Sequence, residues 1–238
     1  MTDFSATSWS SLASSLPWTD GSGRPWRGWR QLPASIPFVF VYSVVAWILF
    51  VPAAERRGNL WWIDDDAVGH LLFRIPMLSD DPFRAARTII TSPWINHDSM
   101  QLIYVTALLI LFGVMFEIRE GTLRILLVFF GASMFAALAA SILLHVIYPH
   151  IWDTRALEVA WNRNWTGGSA GCFGILGAFA ARARNPLPLL VLFAAWEGIV
   201  WWVVLWNYTP AFHLSALAAG FTLTRWILPS HNTETDNP

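Results

Sequence analysis

The chain has 238 residues, of which 55% are hydrophobic and only 13% charged, with a mean hydropathy of +0.45. Soluble domains carry about 25% charged residues, so this composition excludes an ordinary soluble domain and points to a polytopic membrane protein with the lipid bilayer as its surroundings. All 15 basic residues are Arg and the net charge is -1, which argues against nucleic acid as a partner. The single cysteine, Cys172, has no intramolecular disulfide partner and reads as a small buried side chain.

Residues 1–35 mix Ser, Gly and Pro with Trp and Arg, show no apolar period, and read as a flexible or interfacial cytoplasmic lead-in. No basic stretch precedes a short apolar run with a small-residue cleavage site, so no cleavable signal peptide is expected. Six apolar stretches follow within residues 36–228, at 36–54, 99–116, 125–144, 168–181, 187–206 and 211–228. A helix needs about 20 apolar residues to cross about 30 Å of hydrocarbon. The predicted fold class is therefore all-α, a bundle of six transmembrane helices, followed by a polar tail over 229–238. The fourth stretch is too short to span unaided, and the sixth carries His213 near its start and Arg225 near its end.

Orientation follows from the arginines in short loops. Arg24, Arg27 and Arg30 precede the first helix, Arg119 and Arg124 lie between the second and third, Arg182 and Arg184 between the fourth and fifth, and Arg225 at the end. These residues share one side, which places both termini in the cytoplasm and the bundle in the cell (inner) membrane. Five of the remaining arginines fall in the connection 55–98, too long for the rule to weigh heavily. That connection sets Trp61, Trp62, Leu71, Leu72 and Phe73 between acidic runs, as an element lying on the membrane face would. An ordinary solvated loop is the alternative.

Polar groups inside membrane segments are costly and are candidates for function. Four stand out: Gln101 in the second stretch, Ser169 heading the fourth, Glu197 in the fifth and His213 heading the sixth. Gly168, Gly171, Gly174 and Gly177 recur every three residues and leave one helix face nearly bare, as closely packed membrane helices require. On such a face a serine is more commonly a packing residue than a nucleophile. His213, Ala216 and Gly220 form a second small face. A lone histidine there bonds a carbonyl or binds a metal, but no second ligand stands at metal spacing around it, so no metal is expected. Two small-faced helices, one bearing a hydroxyl and the other an imidazole, are suited to bring a nucleophile to its base.

The fourth stretch, Gly167-Gly168-Ser169 followed by Phe173-Gly174-Ile175-Leu176-Gly177-Ala178, together with His213 and its small face, resembles the rhomboid family of intramembrane serine proteases. A second block, residues 87–121, follows the family's second-helix pattern without a gap. Its most specific part is the ending Glu117, Arg119 and Gly121, where Glu117 and Arg119 read as a structural pair at the cytoplasmic end. The resemblance spans residues 36–228. It implies Ser169 as nucleophile and His213 as general base, a dyad with no carboxylate third member. Phe173 would stack under the imidazole, a packing aromatic being the other reading. Gly167 and Gly168 would let the chain turn sharply into the fourth helix. Transmembrane proteins would be the substrates, and no cofactor is implied. The polar loop 149–166, with His150, Asp153, Arg155, Glu158, Asn162, Arg163 and Asn164, would line a path for water, or be a plain surface loop.

The chain also departs from the family. Members place a His and an Asn on the second helix to hold the oxyanion, with a further His upstream; here these positions read Gln101, Val105 and Asn96. Gln101 retains amide donors and Val105 has none. Small Ala170 and Ala216 replace glycines after the serine and after the histidine. The alternative to a protease is thus a catalytically weak or inactive rhomboid-like pseudoprotease that binds transmembrane helices. No inverted repeat or matched pair of broken helices points to a transporter. For Glu197 the family offers no role: facing a cavity, pairing with Gln101 or an arginine, and a protonated state all stand open.

Overall fold

The computed structural model describes residues 32–147, 155–183, 185–200 and 209–228. Most of the lead-in, Arg184, His150, Asp153, residues 201–206 of the fifth predicted helix and the tail 229–238 lie outside the described residues.

Helix α1 (Leu32–Ser35) is a single turn before α2 (Pro37–Ala53). Pro37 opens α2 at a position where its missing N–H has no partner to lose. Strands β1 (Ala54–Arg57) and β2 (Leu60–Ile63) form an antiparallel hairpin with Arg57 opposite Leu60. Its two-residue turn uses Gly58 at φ +67°, a left-handed conformation that favours glycine. Short helices α3 (Asp65–Val68) and α4 (Met77–Asp80) lead to the amphipathic α5 (Pro82–Thr91), whose first turn is capped by Asp81 accepting from Arg84 N at 3.0 Å.

The second apolar stretch is α6 (Ser99–Leu108), a wider turn over Leu109–Gly113, and α7 (Val114–Glu120). Asp98 caps it through Gln101 N at 2.8 Å. Gly121, at φ +87°, turns the chain directly into α8 (Thr122–Ile147). After α9 (Arg155–Asn162) come α10 (Ser169–Arg182), α11 (Leu187–Val200) and α12 (Thr209–Thr222), the last closing on a wider turn over Leu223–Ile227.

The fold is a helical membrane bundle with one small hairpin that the sequence reading did not anticipate. Ser99–Glu120 and Thr122–Val146 are long and apolar enough to cross a membrane, with mean hydropathies of 2.1 and 2.3. Pro37–Ala53, Ser169–Arg182 and Leu187–Ile199 are apolar but shorter. The second helix runs past the predicted 116 to Glu120, since Glu117 and Glu120 find buried partners, and the third extends three residues past the predicted 144 to Ile147. Large apolar side chains such as Ile48, Val51, Ile142 and Leu192 project outward, as a lipid-facing surface requires. In the connection 55–98, Trp61 is exposed, but Leu72 and Phe73 are buried in the core rather than laid on the membrane face.

Two carboxylates tie the cytoplasmic ends predicted from sequence. On sequence alone Glu117 pairs with Arg119. Its described contacts are the N–H groups of Phe38 and Val39 at 2.8 and 2.9 Å and the Thr122 hydroxyl at 2.9 Å, so it caps the start of α2. Glu120 holds the buried Arg182 through both oxygens, at 2.8 and 2.9 Å, while Arg182 also donates to the carbonyls of Thr224 and Leu228. The fork of donors thereby fastens the far end of α10 to α7 and to the end of the chain's last helix.

Nearly every residue of α10 is buried, and it packs against α8 and α12. The glycine faces make this possible. A Cβ at Gly220 would meet the carbonyl of Gly174, and one at Gly177 the carbonyl of Leu217, so α10 and α12 touch backbone to backbone. Gly171 is filled instead by the ring of Phe129 from α8. Gly220→Ala is expected to lower stability by about 1–3 kcal/mol through overpacking, whereas Gly69→Ala, with open space around it, should stay within about 0.5 kcal/mol. Thermal unfolding of the detergent-solubilised variants measures both.

Candidate active site

Ser169 is the first residue of α10 and His213 the fifth of α12, the two helices that the glycine contact holds together. Both are buried, at 7% and 4% exposure. Ser169 Oγ lies 2.9 Å from His213 Nε2, well within hydrogen-bond distance. The Phe173 ring lies parallel to the imidazole, with centroids 4.3 Å apart and planes 8° from one another. On the next turn of the wall, Trp165 stacks on Phe212 at 3.7 Å.

The segment before Ser169 is fixed by backbone pairing. Trp165 N donates to Phe73 O at 2.8 Å and Gly167 N to Ser92 O at 3.0 Å, while Ser92 Oγ accepts from Phe73 N at 2.7 Å. The connection 55–98 is therefore a structural wall of the site. Gly167 has φ +92°, and a Cβ there would run into the Gln101 amide, so glycine is required both by conformation and by space. Gly168 has an ordinary φ of −77° and is needed for space alone, since the Tyr42 hydroxyl and Phe129 lie where its Cβ would be.

Gln101 braces this segment. Its Oε1 accepts from His97 N at 2.6 Å, and its Nε2 donates to Thr166 O at 3.1 Å. A primary amide has a second N–H, and Gln101 lines the same cavity as Ser169 and His213, together with Arg163, Thr166 and Gly167. That cavity measures about 60 Å³, enough for a few water molecules at roughly 10–15 Å³ each. The Ser169 N–H, at the head of α10, has no intrahelical acceptor and adds a second donor beside the hydroxyl. Val105 is fully buried and offers only apolar surface. Asn96 is fully buried too, with neither side-chain amide atom paired among the described residues.

Glu197 is the residue whose place sequence reasoning missed. Among the described residues it pairs with neither Gln101 nor an arginine; its Oε1 lies 2.8 Å from His213 Nδ1, and the residue is 1% exposed. The arrangement is a serine hydroxyl, an imidazole and a carboxylate in series, next to amide donors and a water-sized cavity. Such a set can activate a hydroxyl for attack on a carbonyl carbon.

Comparison with known proteins agrees with this architecture. The family model described as Rhomboid domain matches residues 84–230, more than half of the chain. The protein belongs to the rhomboid family, whose members are generally intramembrane proteases acting on transmembrane substrates. No curated protein matches the chain.

The rim of the site also titrates. Burial first, then the Arg163 guanidinium, hold His97 below its ordinary value of 6.5. The folded protein thus favours neutral His97, and its contribution to stability is complete above the ordinary value and is lost as pH falls through the lowered one. Melting temperature should fall on acidification from about pH 7 to 5, and less steeply in His97→Gln. Gln101→Ala, which removes the acceptor of His97 N and the donor to Thr166 O, is expected to lower stability by about 1–3 kcal/mol, read by thermal unfolding.

Proposed function

We propose that this protein is an intramembrane serine endopeptidase of rhomboid type, spanning the inner membrane six times with both termini cytoplasmic, that cleaves transmembrane segments of other membrane proteins. The observation that carries the reading is the 2.9 Å contact between Ser169 Oγ and His213 Nε2 inside a buried, amide-lined cavity. The family membership agrees with it.

Ser169 Oγ attacks the scissile carbonyl carbon while His213 Nε2 takes the hydroxyl proton. The oxyanion is held by the Ser169 N–H and the free N–H of Gln101 Nε2. Collapse of the tetrahedral adduct breaks the C–N bond, and His213 returns its proton to the leaving amine. A water from the cavity then attacks the acyl-enzyme and gives a proton to Nε2; as the acyl C–O bond breaks, His213 passes that proton to Ser169 Oγ, releasing the new carboxyl terminus and restoring the free hydroxyl. Phe173 keeps the imidazole plane fixed throughout, and Gly167 and Gly168 set Ser169 at the sharp start of α10. Glu117 and Gly121 shape the turn that anchors α2 and α8, with Arg119 beside them.

A second reading, a pseudoprotease that binds transmembrane helices without cutting them, is favoured by one observation. Val105 donates nothing, and one N–H of Gln101 is already engaged by Thr166. Loss of an oxyanion donor lowers kcat about 10²- to 10³-fold, so the proposed protease is slow rather than inert.

A fluorophosphonate probe is expected to label the purified protein, and the label should vanish in both Ser169→Ala and His213→Ala. A transmembrane reporter reconstituted with the wild type should be cut, and with Ser169→Ala left whole. Reporter binding without cutting by either protein, and no labelling, would select the pseudoprotease.

A further inference from the structure

The Ser169–His213 reading leaves Glu197 without a task, although a carboxylate in the apolar α11 is costly to bury. We infer that Glu197 is a positioning residue that sets the tautomer and the in-plane orientation of His213, making the site a serine–histidine–glutamate series. The inference rests on the proteolytic reading of the same site.

An imidazole stacked on one ring is restrained in its plane but can still rotate within that plane, and its proton can sit on either nitrogen. Phe173 supplies the first restraint, at 4.3 Å and 8°. Glu197 supplies the second. An ionised carboxylate only accepts hydrogen bonds, so the 2.8 Å contact requires the proton to be on Nδ1. Nε2 then carries the lone pair, and it is Nε2 that lies 2.9 Å from the Ser169 hydroxyl. The opposite assignment, a protonated Glu197 donating to Nδ1, puts the proton on Nε2 and leaves Ser169 without a base.

The adjacent Trp196 donates through Nε1 to the Tyr104 hydroxyl on α6 at 3.3 Å, a contact between α11 and α6 one residue from the carboxylate. During attack the serine proton moves to Nε2, and the Nδ1 proton stays where it is. The Glu197 carboxylate faces the imidazolium that forms, a charge that exists only in the transition state and intermediate. No proton is transferred to Glu197.

The test compares full-length wild type, Glu197→Gln and Glu197→Asp in nanodiscs. Glu197→Gln keeps the volume but lets an amide N–H donate to Nδ1, which favours the unproductive tautomer. It is expected to lower kcat for the reporter, and the rate of fluorophosphonate labelling, about 10²- to 10⁴-fold, with KM and melting temperature nearly unchanged. Glu197→Asp, which restores a carboxylate, should recover part of the lost kcat. A Glu197→Gln protein with wild-type kcat would overturn the inference, and so would a loss that follows a fall in melting temperature and is not recovered by Asp. A ¹⁵N-histidine NMR spectrum gives an arm independent of activity. His213 should carry its proton on Nδ1 in the wild type and shift toward Nε2 in Glu197→Gln; Nε2 protonation in the wild type would overturn the positioning role. If the wild type neither labels nor cleaves, the protease reading fails, and the NMR arm alone decides whether Glu197 orients His213.

Discussion

The site depends on how closely two backbones can approach. Gly174 and Gly177 on α10 face Gly220 and Leu217 on α12 with no side chain between them, so the helices touch along their main chains. In lipid there is no hydrophobic driving force between helices, and packing of this kind is what holds them. Because Ser169 and His213 lie near the starts of those same helices, the contact fixes their separation. Thickening the interface by one methyl group would move both helices, and with them a hydrogen bond of 2.9 Å.

Around this pair the rest of the molecule divides into clamps and walls. The Arg182–Glu120 fork anchors the opposite end of α10, so that the helix cannot slide along α12. Glu117 caps α2 from the side, bringing Tyr42 against Gly168. The connection 55–98 folds inward, where the Phe73 and Ser92 carbonyls accept from Trp165 N and Gly167 N, while the Gln101 side chain donates to Thr166 O. The buried carboxylates and amides just named fasten the helix ends or brace the site. The Asn96 amide and the hydroxyls of Ser43, Ser133, Ser141 and Thr224 are also buried and have no hydrogen-bond partner among the described residues.

Much of this was legible in the residues themselves. The three-residue glycine spacing announced a bare helix face, and the structure sets Ser169 Oγ 2.9 Å from His213 Nε2 with Phe173 stacked on the imidazole. The short fourth helix came out as α10, about 21 Å long at 1.5 Å per residue, starting one residue after the predicted position. What periodicity could not reveal were contacts between distant segments. Glu197 and His213 are 16 residues apart on different helices, and nothing in an apolar run says which neighbour its one carboxylate faces. The hairpin was signalled by Gly58-Asn59 between short strands, but its acidic and aromatic surroundings masked it. Leu72 and Phe73 looked interfacial because burial against another loop leaves the same composition as burial in a membrane surface.

The measurement that bears most directly on the central claim is an experimental structure of the protein after reaction with a fluorophosphonate. The account predicts phosphorus bonded to Ser169 Oγ, with a phosphoryl oxygen about 2.7–3.1 Å from the Ser169 N–H and Gln101 Nε2 and His213 still between the adduct and Glu197. An unmodified Ser169 in a protein that has taken up the reagent elsewhere, or an adduct whose phosphoryl oxygen points away from both donors, would contradict it.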